Sequence, residues 1–448
     1  MPSDRLFGPT FTTDVMADAV SDRAWVQAML DVEAALAAAE ERAGVIPAGT
    51  ATMIAAGCSS DRYDIGALGR AAAEAGNPVI PLVKALTRAV PAEASGWVHW
   101  GATSQDILDT AMVLLVRRGL NLLLSDLDAI AAACARLSHE HRQTVMLGRT
   151  FLQPAVPITF GLKVAGWLVA TLDARRRLAE LRASGLAVQL GGAAGTLASL
   201  GADGPRVVRL MAEELALAEP VVPWHSARGR IAEVGAALGV TCGVMGKIAR
   251  DVALLMQAEV GEVAEPTAPG RGGSSSMPHK QNPVAAMAVE AGVRRAHALV
   301  GVLLGAMLQE HERAVGGWHA EWETVGELFR LSAGAVVRVR DVVDRLHVDP
   351  VRMRANLDAT HGLPLSEHLA LLLARLMGRG EARALVERAI QRCRTSGRHL
   401  RDELLADPTV TTHLTAAELD EALDPARYLG ATQVFIDRAL ALYRSTIS

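Results

Sequence analysis

Apolar residues recur at steps of three and four along four long stretches: Thr110 to His141, Ile158 to Ala183, Arg230 to Val263 and Val284 to Glu312. In the third, Val234, Leu238, Met245, Ile248, Val252 and Leu255 keep the helical period, and strict two-residue alternation, the mark of a half-buried strand, is absent. A helix of about 30 residues is roughly 45 Å long. Rods of that length, apolar around much of their circumference, bury themselves against one another in a bundle and favour assembly into an oligomer.

On either side the helical pieces are shorter. Gly44, Pro47, Gly76, Asn77-Pro78 and Pro81 punctuate the N-terminal part, and His361-Gly362, Pro364, Asp407-Pro408 and Asp424-Pro425 the C-terminal part. The pattern predicts an all-α protein of three helical domains: 1–107, a central long-helix bundle over 108–347, and 348–448.

Composition narrows the function. The chain has 448 residues, longer than one core usually organises. Its net charge of -4 comes from 45 basic and 49 acidic residues scattered without a basic or acidic block, so neither a nucleic-acid nor a membrane partner is expected. A mildly acidic protein can still hold a small anion in a local basic pocket. The four cysteines, Cys58, Cys134, Cys242 and Cys393, form no CxxC pair and read as reduced thiols. The start, MPSDRLFGPTF, lacks a basic segment leading into an apolar one, and no uninterrupted apolar run reaches the roughly 20 residues of a bilayer span. A cytoplasmic protein is the expectation.

Three polar islands interrupt the helical period. The first is His99-Trp-Gly-Ala-Thr-Ser-Gln-Asp106, where Thr103 and Asp106 have the spacing of a capping box; His99, Ser104 and Gln105 exceed what a cap requires. The second, 148–157, offers Thr150 and Gln153 ahead of a helix entered at Pro157, a pattern that by itself is a turn. The third, Gly270 to Pro283, reads GRGGSSSMPHKQNP. Its Asn282-Pro283 pair predicts a cap and first-turn proline for the helix starting near Val284. The glycines before Ser274 are not explained by a cap.

A phosphate loop would need Gly directly before Lys and Ser or Thr after it, behind a strand; Lys280 lies between His279 and Gln281. His279, His311 and His319 lack the spacing of a metal site. Proton transfer fits better. A serine on a Gly-rich loop can approach a substrate carbon, and Lys280 with a helix N-terminus would favour its deprotonated form. The same positive features would hold a carboxylate and the charge that builds beside it when a C–H bond breaks. That is β-elimination or its reverse.

Gly273-Ser-Ser-Ser-Met-Pro-His-Lys-Gln-Asn-Pro283 resembles the GSSxMPxKxNP signature of the fumarase/aspartase superfamily, and the islands at 99–106 and 148–157 resemble its other two active-site segments in the expected order. VHWGATSQD, VQLGGAAGTLASLG, MQAEVGEV, QEHERAVGGWHAEWE, NLDATHGL and LDPARYLG are similar to the lactonising cycloisomerases of that superfamily. The resemblance implies a homotetramer on a central 20-helix core, sites built by segments from different subunits, no metal and no organic cofactor. It implies a small polycarboxylate substrate under a lid formed by the Gly-rich loop.

By the same resemblance, Ser274 is the catalytic base or acid, Ser275 helps fix the loop, and Lys280 and Asn282 hold a substrate carboxylate beside Met277. His99, Thr103, Ser104, Thr150, Gln153 and Arg228, the last just ahead of the helix containing Glu233, line the anionic pocket. Amino-acid and succinyl lyases of the superfamily place a His after Arg-Thr and a Glu four residues after the Asn-Pro pair; here these positions are Phe151 and Met287. That agrees with a reaction that expels no leaving group. The lactonising branch often has His where this chain has Pro154 and Asp where it has Gly229, so a lyase releasing nitrite or an amine from a substituted succinate stays open. A non-catalytic protein that kept the fold is a third reading. Trp318, His319, Glu321 and Trp322 read as packing, and Glu310 and Glu312 as partners of Arg313 or its neighbours.

Overall fold

A computed structural model describes residues 4–447. Helices dominate it. Those that position the polar islands are α1, Asp22–Ala43; α2, Ser104–Glu140; α3, Phe160–Glu180; α4, Gly229–Leu255; α5, Val284–Gly305; and α6, Gly317–Asp344. The expected long helices are all present, several shorter than their apolar pattern. Between α2 and α3 the pattern predicted a turn and a helix from Ile158, but the chain forms an antiparallel hairpin, β1 Val145–Thr150 and β2 Gln153–Thr159. After α4, a turn ending in Gly261, with φ of 59°, leads to strand β3, Val263–Ala264, which pairs with β4, His347–Val348.

The chain divides into two compact units, and all five passages between them occur inside α2 to α6. The first unit comprises the described residues through Leu127 with 173–246 and 288–338. Its helix α1 is capped by Ser21, whose hydroxyl accepts the Ala24 N–H at 3.2 Å, and stops at Gly44, with φ of 78°. The face carrying Val26, Met29, Leu30 and Leu36 is buried in one apolar cluster with Leu82, Leu86, Val207 and Met211.

In the same unit α4 and α5 pack backbone to side chain. A methyl group at Gly235 would lie 2.6 Å from Leu303, and one at Gly239 2.8 Å from Val300. The four-residue glycine spacing keeps one ridge of α4 flat, which brings α5 close. Helix α4 is long and apolar enough to span a bilayer, although 61% of its most apolar window is buried in the protein; it is a core helix.

The second unit comprises 128–172, 247–287 and the described residues from Val339. Its C-terminal helices bury Leu369, Leu373, Leu385, Val386 and Ala389 in a separate core. The hairpin belongs here. At its bulge a methyl group on Gly148 would meet the Val156 carbonyl at 2.4 Å, so the pairing requires glycine.

Candidate active site

In the first unit, the island before α2 is organised by one carboxylate. Asp106, fully buried, accepts four hydrogen bonds: Thr103 N–H at 2.9 Å and Gly192 N–H at 3.0 Å on Oδ2, Gly191 N–H at 2.9 Å and His225 Nε2–H at 2.7 Å on Oδ1. A buried charge is tolerated when its lone pairs are filled in this way. The bond to Thr103 is half of the expected capping box. Thr103 and Ser104 are half-buried at the start of the helix.

His99 precedes them with φ of 61°, in the left-handed region. Its Nδ1 is 2.7 Å from Glu33 Oε1 of α1, and the Glu33 side chain is 1% exposed. Burial works against a charged ring, but Glu33, with Asp106 beyond it, outweighs that effect and raises the histidine above its ordinary value.

Arg228, expected among the pocket-lining residues, is instead buried among acids. It donates to both oxygens of Asp109, at 2.7 and 3.0 Å, and both of Glu321, at 3.0 and 2.5 Å, and its guanidinium sits 4.9 Å over the Trp224 ring. Its side chain has no exposure. Burial raises the Glu321 carboxyl, and Arg228 pulls it back only in part. Trp318 adds an indole N–H to Asp109 at 2.9 Å, while its ring packs edge-on to Trp322. Two carboxylates of the protein already occupy its donors.

Sequence reading missed Arg313. It does not pair with Glu310 or Glu312; its Nε donates to the Gln105 side chain at 3.0 Å and its Nη1 to the Ala193 carbonyl at 3.1 Å. Among the described residues, its buried Nη2 has no hydrogen-bond partner. This is a cation anchored by neutral groups beside the first island. Only the polar run Gln309 to Arg313, breaking the helical period, could have signalled it.

In the second unit, Thr150 and Gln153 face each other across the hairpin turn, and both are exposed. Phe151 and Leu152 form that turn with φ of 51° and 62°, the conformation of a type I′ turn, which usually takes Asn-Gly. Phe151 is 98% exposed. The strand behind is fixed by Arg149, bidentate to the buried Glu262 at 2.7 and 2.9 Å, with Asn356 completing that carboxylate at 2.8 Å.

The signature loop also belongs to the second unit. Its neck is closed by Asn282, whose backbone and side-chain N–H groups both donate to the Gly272 carbonyl, at 2.9 and 3.1 Å. Asn282 therefore latches the loop where a helix cap was expected. The cap comes from Glu265, buried, whose two oxygens accept the Ala285 and Ala286 N–H groups at 3.0 and 2.8 Å. The helix end expected to hold a substrate carboxylate thus already holds one of the protein's own.

Inside the loop, Ser274 Oγ accepts N–H groups from Met277 at 3.2 Å and Ser276 at 3.4 Å. Two donors aimed at that oxygen favour its anionic form, replacing the expected effect of the helix end. Ser274 is half-buried, and Ser275, Met277 and Lys280 are exposed. Met287, where other superfamily members place Glu, is exposed on the first turn of α5. A separate cavity of about 680 Å³, lined by Trp25, Met29, Arg295, Trp322 and Arg330, contains none of the motif residues.

A family pattern described as a lyase matches residues 9–297, and one described as the adenylosuccinate lyase C-terminus matches 362–439. The chain belongs to this lyase family, the fumarase/aspartase superfamily. A 3-carboxy-cis,cis-muconate cycloisomerase of Pseudomonas aeruginosa is 49% identical, covering 98% of this chain and 97% of that protein. A nitrosuccinate lyase of Streptomyces davaonensis is 48% identical, covering 97% and 94%. The crystal structure of the 3-carboxy-cis,cis-muconate lactonizing enzyme of Pseudomonas putida superposes with a TM-score of 0.94 at 44% identity, covering 99% of this chain and all of that one.

Proposed function

We propose that the protein closes 3-carboxy-cis,cis-muconate to 4-carboxymuconolactone, an intramolecular addition in the protocatechuate branch of aromatic catabolism. The observation that carries this is likeness over essentially the whole chain to enzymes of that name, in sequence and in fold. Phe151 and Met287, apolar where the amine-releasing members place an acid pair, support it.

One carboxylate oxygen of the substrate bonds to a carbon of the conjugated system. The alkene electron pair moves to the carbon beside another carboxylate, and a proton added there completes the lactone. Ser274, or water held by it, gives that proton and takes it back in the reverse direction. Lys280 neutralises the carboxylate that bears the developing charge and Asn282 helps orient it, with Ser275 and Met277 shaping the loop around it. His99, Thr103, Ser104, Thr150 and Gln153 bind the other carboxylates, Arg313 adds a cation there, and Arg228 supports them through Asp109 and Glu321.

The three segments come together in a homotetramer with a 20-helix core, each site drawing on more than one subunit, and the chain follows the division 1–107, 108–347 and 348–448. The protein acts in the cytoplasm without metal or organic cofactor. Support for shared sites is the exposure of Phe151 at a strained turn, which a neighbouring subunit would cover.

The test is an absorbance assay on purified protein. Loss of the conjugated diene of 3-carboxy-cis,cis-muconate, with lactone as the sole product, supports the proposal. The second reading, elimination of nitrite from nitrosuccinate, is favoured by the 48% identical lyase and by Pro154 and Gly229; nitrosuccinate turning into fumarate and nitrite, with the muconate untouched, would establish it.

A further inference from the structure

Two acids on α1 remain outside the chemistry above. Glu33 and Glu40 are seven residues apart, two turns of helix, and are 1% and 0% exposed. Neither oxygen of Glu40 has a hydrogen-bond partner among the described residues, and Glu33 Oε2 has none either. Among the described residues, the one hydrogen-bond partner of the Glu33 carboxylate is His99 Nδ1, at 2.7 Å. A buried carboxylate with one partner is best met when that partner carries the opposite charge.

We propose that Glu33 is a positioning residue for the reaction: it holds His99 as an imidazolium, in its left-handed backbone conformation, and so leaves Nε2–H to bind a substrate carboxylate. This rests on the reading of His99 as a pocket residue.

The charges around the ring agree. The groups acting on it are Glu33 from α1 and Asp106 from the start of α2, both acidic. Asp106 is already committed to His225 and three backbone N–H groups, which leaves Glu33 as the direct partner. Glu40 adds no second negative charge near neutral pH, because burial, and then Glu33, push its carboxyl up to about 9. A histidine with Nδ1 given to a carboxylate has its tautomer and ring orientation set by that bond. The arrangement supplies a cation where the pocket needs one, from a helix far from the signature in sequence.

The experiment uses the ligand-free tetrameric protein with ¹³C-labelled histidine, the His99 signal being assigned by its loss in His99→Gln. In the wild type the ring titrates above the ordinary value of about 6.5, and in Glu33→Gln, which keeps the hydrogen bond and removes the charge, its titration moves down. Binding of tricarballylate, a saturated tricarboxylate, then weakens several-fold at pH 7.5 in Glu33→Gln, where the ring has lost most of its charge, and stays within about twofold at pH 5.5, where it is largely charged in both proteins. A structural role alone would leave the pH dependence unmoved. Should Glu33→Gln fail to fold, Glu33→Asp carries the test: charge kept, titration kept.

An unmoved His99 titration in Glu33→Gln overturns the inference, and so does a shifted titration with unchanged tricarballylate binding. Neither arm needs turnover. A wild type that ignores 3-carboxy-cis,cis-muconate would therefore refute the proposed reaction and leave the Glu33 inference to be decided by these two readings.

Discussion

His225 and Asp106 meet at 2.7 Å with both side chains buried, and through this contact three distant pieces of chain, at 103, 191–192 and 225, converge on one carboxylate. Replacing Asp106 by Asn puts an amide donor against donors that an acceptor now serves. The loss should be at least about 1.5–3 kcal/mol, the range for one hydrogen bond to a charged group. Urea unfolding of Asp106→Asn checks it, with pocket binding expected to weaken even at temperatures where the variant is folded.

Arg228 should matter more to stability than to chemistry. Arg228→Met leaves Asp109 and Glu321 buried side by side without their shared cation, a change of about 3–5 kcal/mol for a broken buried pair. Lysine should not rescue it, because a single ammonium cannot serve four carboxylate oxygens in the planar arrangement seen. Denaturant midpoints of the two variants decide this.

Glu40 predicts an alkaline loss of stability. Its folded value is raised from 4.5 to about 9, so between those limits the native state retains a proton that the unfolded chain has released. Stability then falls as pH rises through that window, with a slope approaching about 1.4 kcal/mol per unit for one proton. Glu40→Gln should flatten the slope and unfold at higher denaturant than the wild type at pH 8. Unfolding titrations at pH 5, 6.5 and 8 measure it.

The loop latch can be broken without touching a reacting group. Gly272 has φ of 72°, and a methyl group on it would lie 2.9 Å from the Asn282 carbonyl oxygen. Gly272→Ala should lower kcat by roughly 10- to 100-fold through misplacement of Ser274, with little change in melting temperature. Steady-state kinetics beside a thermal scan tests the pair of statements.

Ser274→Ala removes the proposed proton donor and acceptor. A fall in kcat of about 10²–10⁴ is expected, with helicity and oligomeric state intact. An unchanged rate would discard the assignment.

Much of the architecture was legible because α2 to α6 are long enough for the 3.6-residue period to dominate. The hairpin was not, since Phe151-Leu152 lacks the Asn-Gly signal of a two-residue turn and Pro157 reads as the entry to a helix. The signature named Ser274 and Lys280, but the Asn282-Pro283 pair misplaced the helix cap: a side chain just before a helix usually caps it, and nothing local reveals that Glu265, twenty residues earlier, takes that place. Arg228 and Arg313 have partners that their neighbours in sequence do not foretell. The acids that neutralise the first, Asp109 and Glu321, lie 119 and 93 residues away, while the acids beside the second in sequence do not touch it. Glu33 and Glu40 belong to no motif in the sequence, and only burial marks them.

The most direct measurement is the reaction run in deuterated water with 3-carboxy-cis,cis-muconate and followed by proton NMR. The predicted result is a lactone carrying one deuterium on the carbon beside a carboxylate, with no fumarate. Recovery of the unlabelled, unchanged muconate, from protein that releases fumarate and nitrite when given nitrosuccinate, would contradict the account.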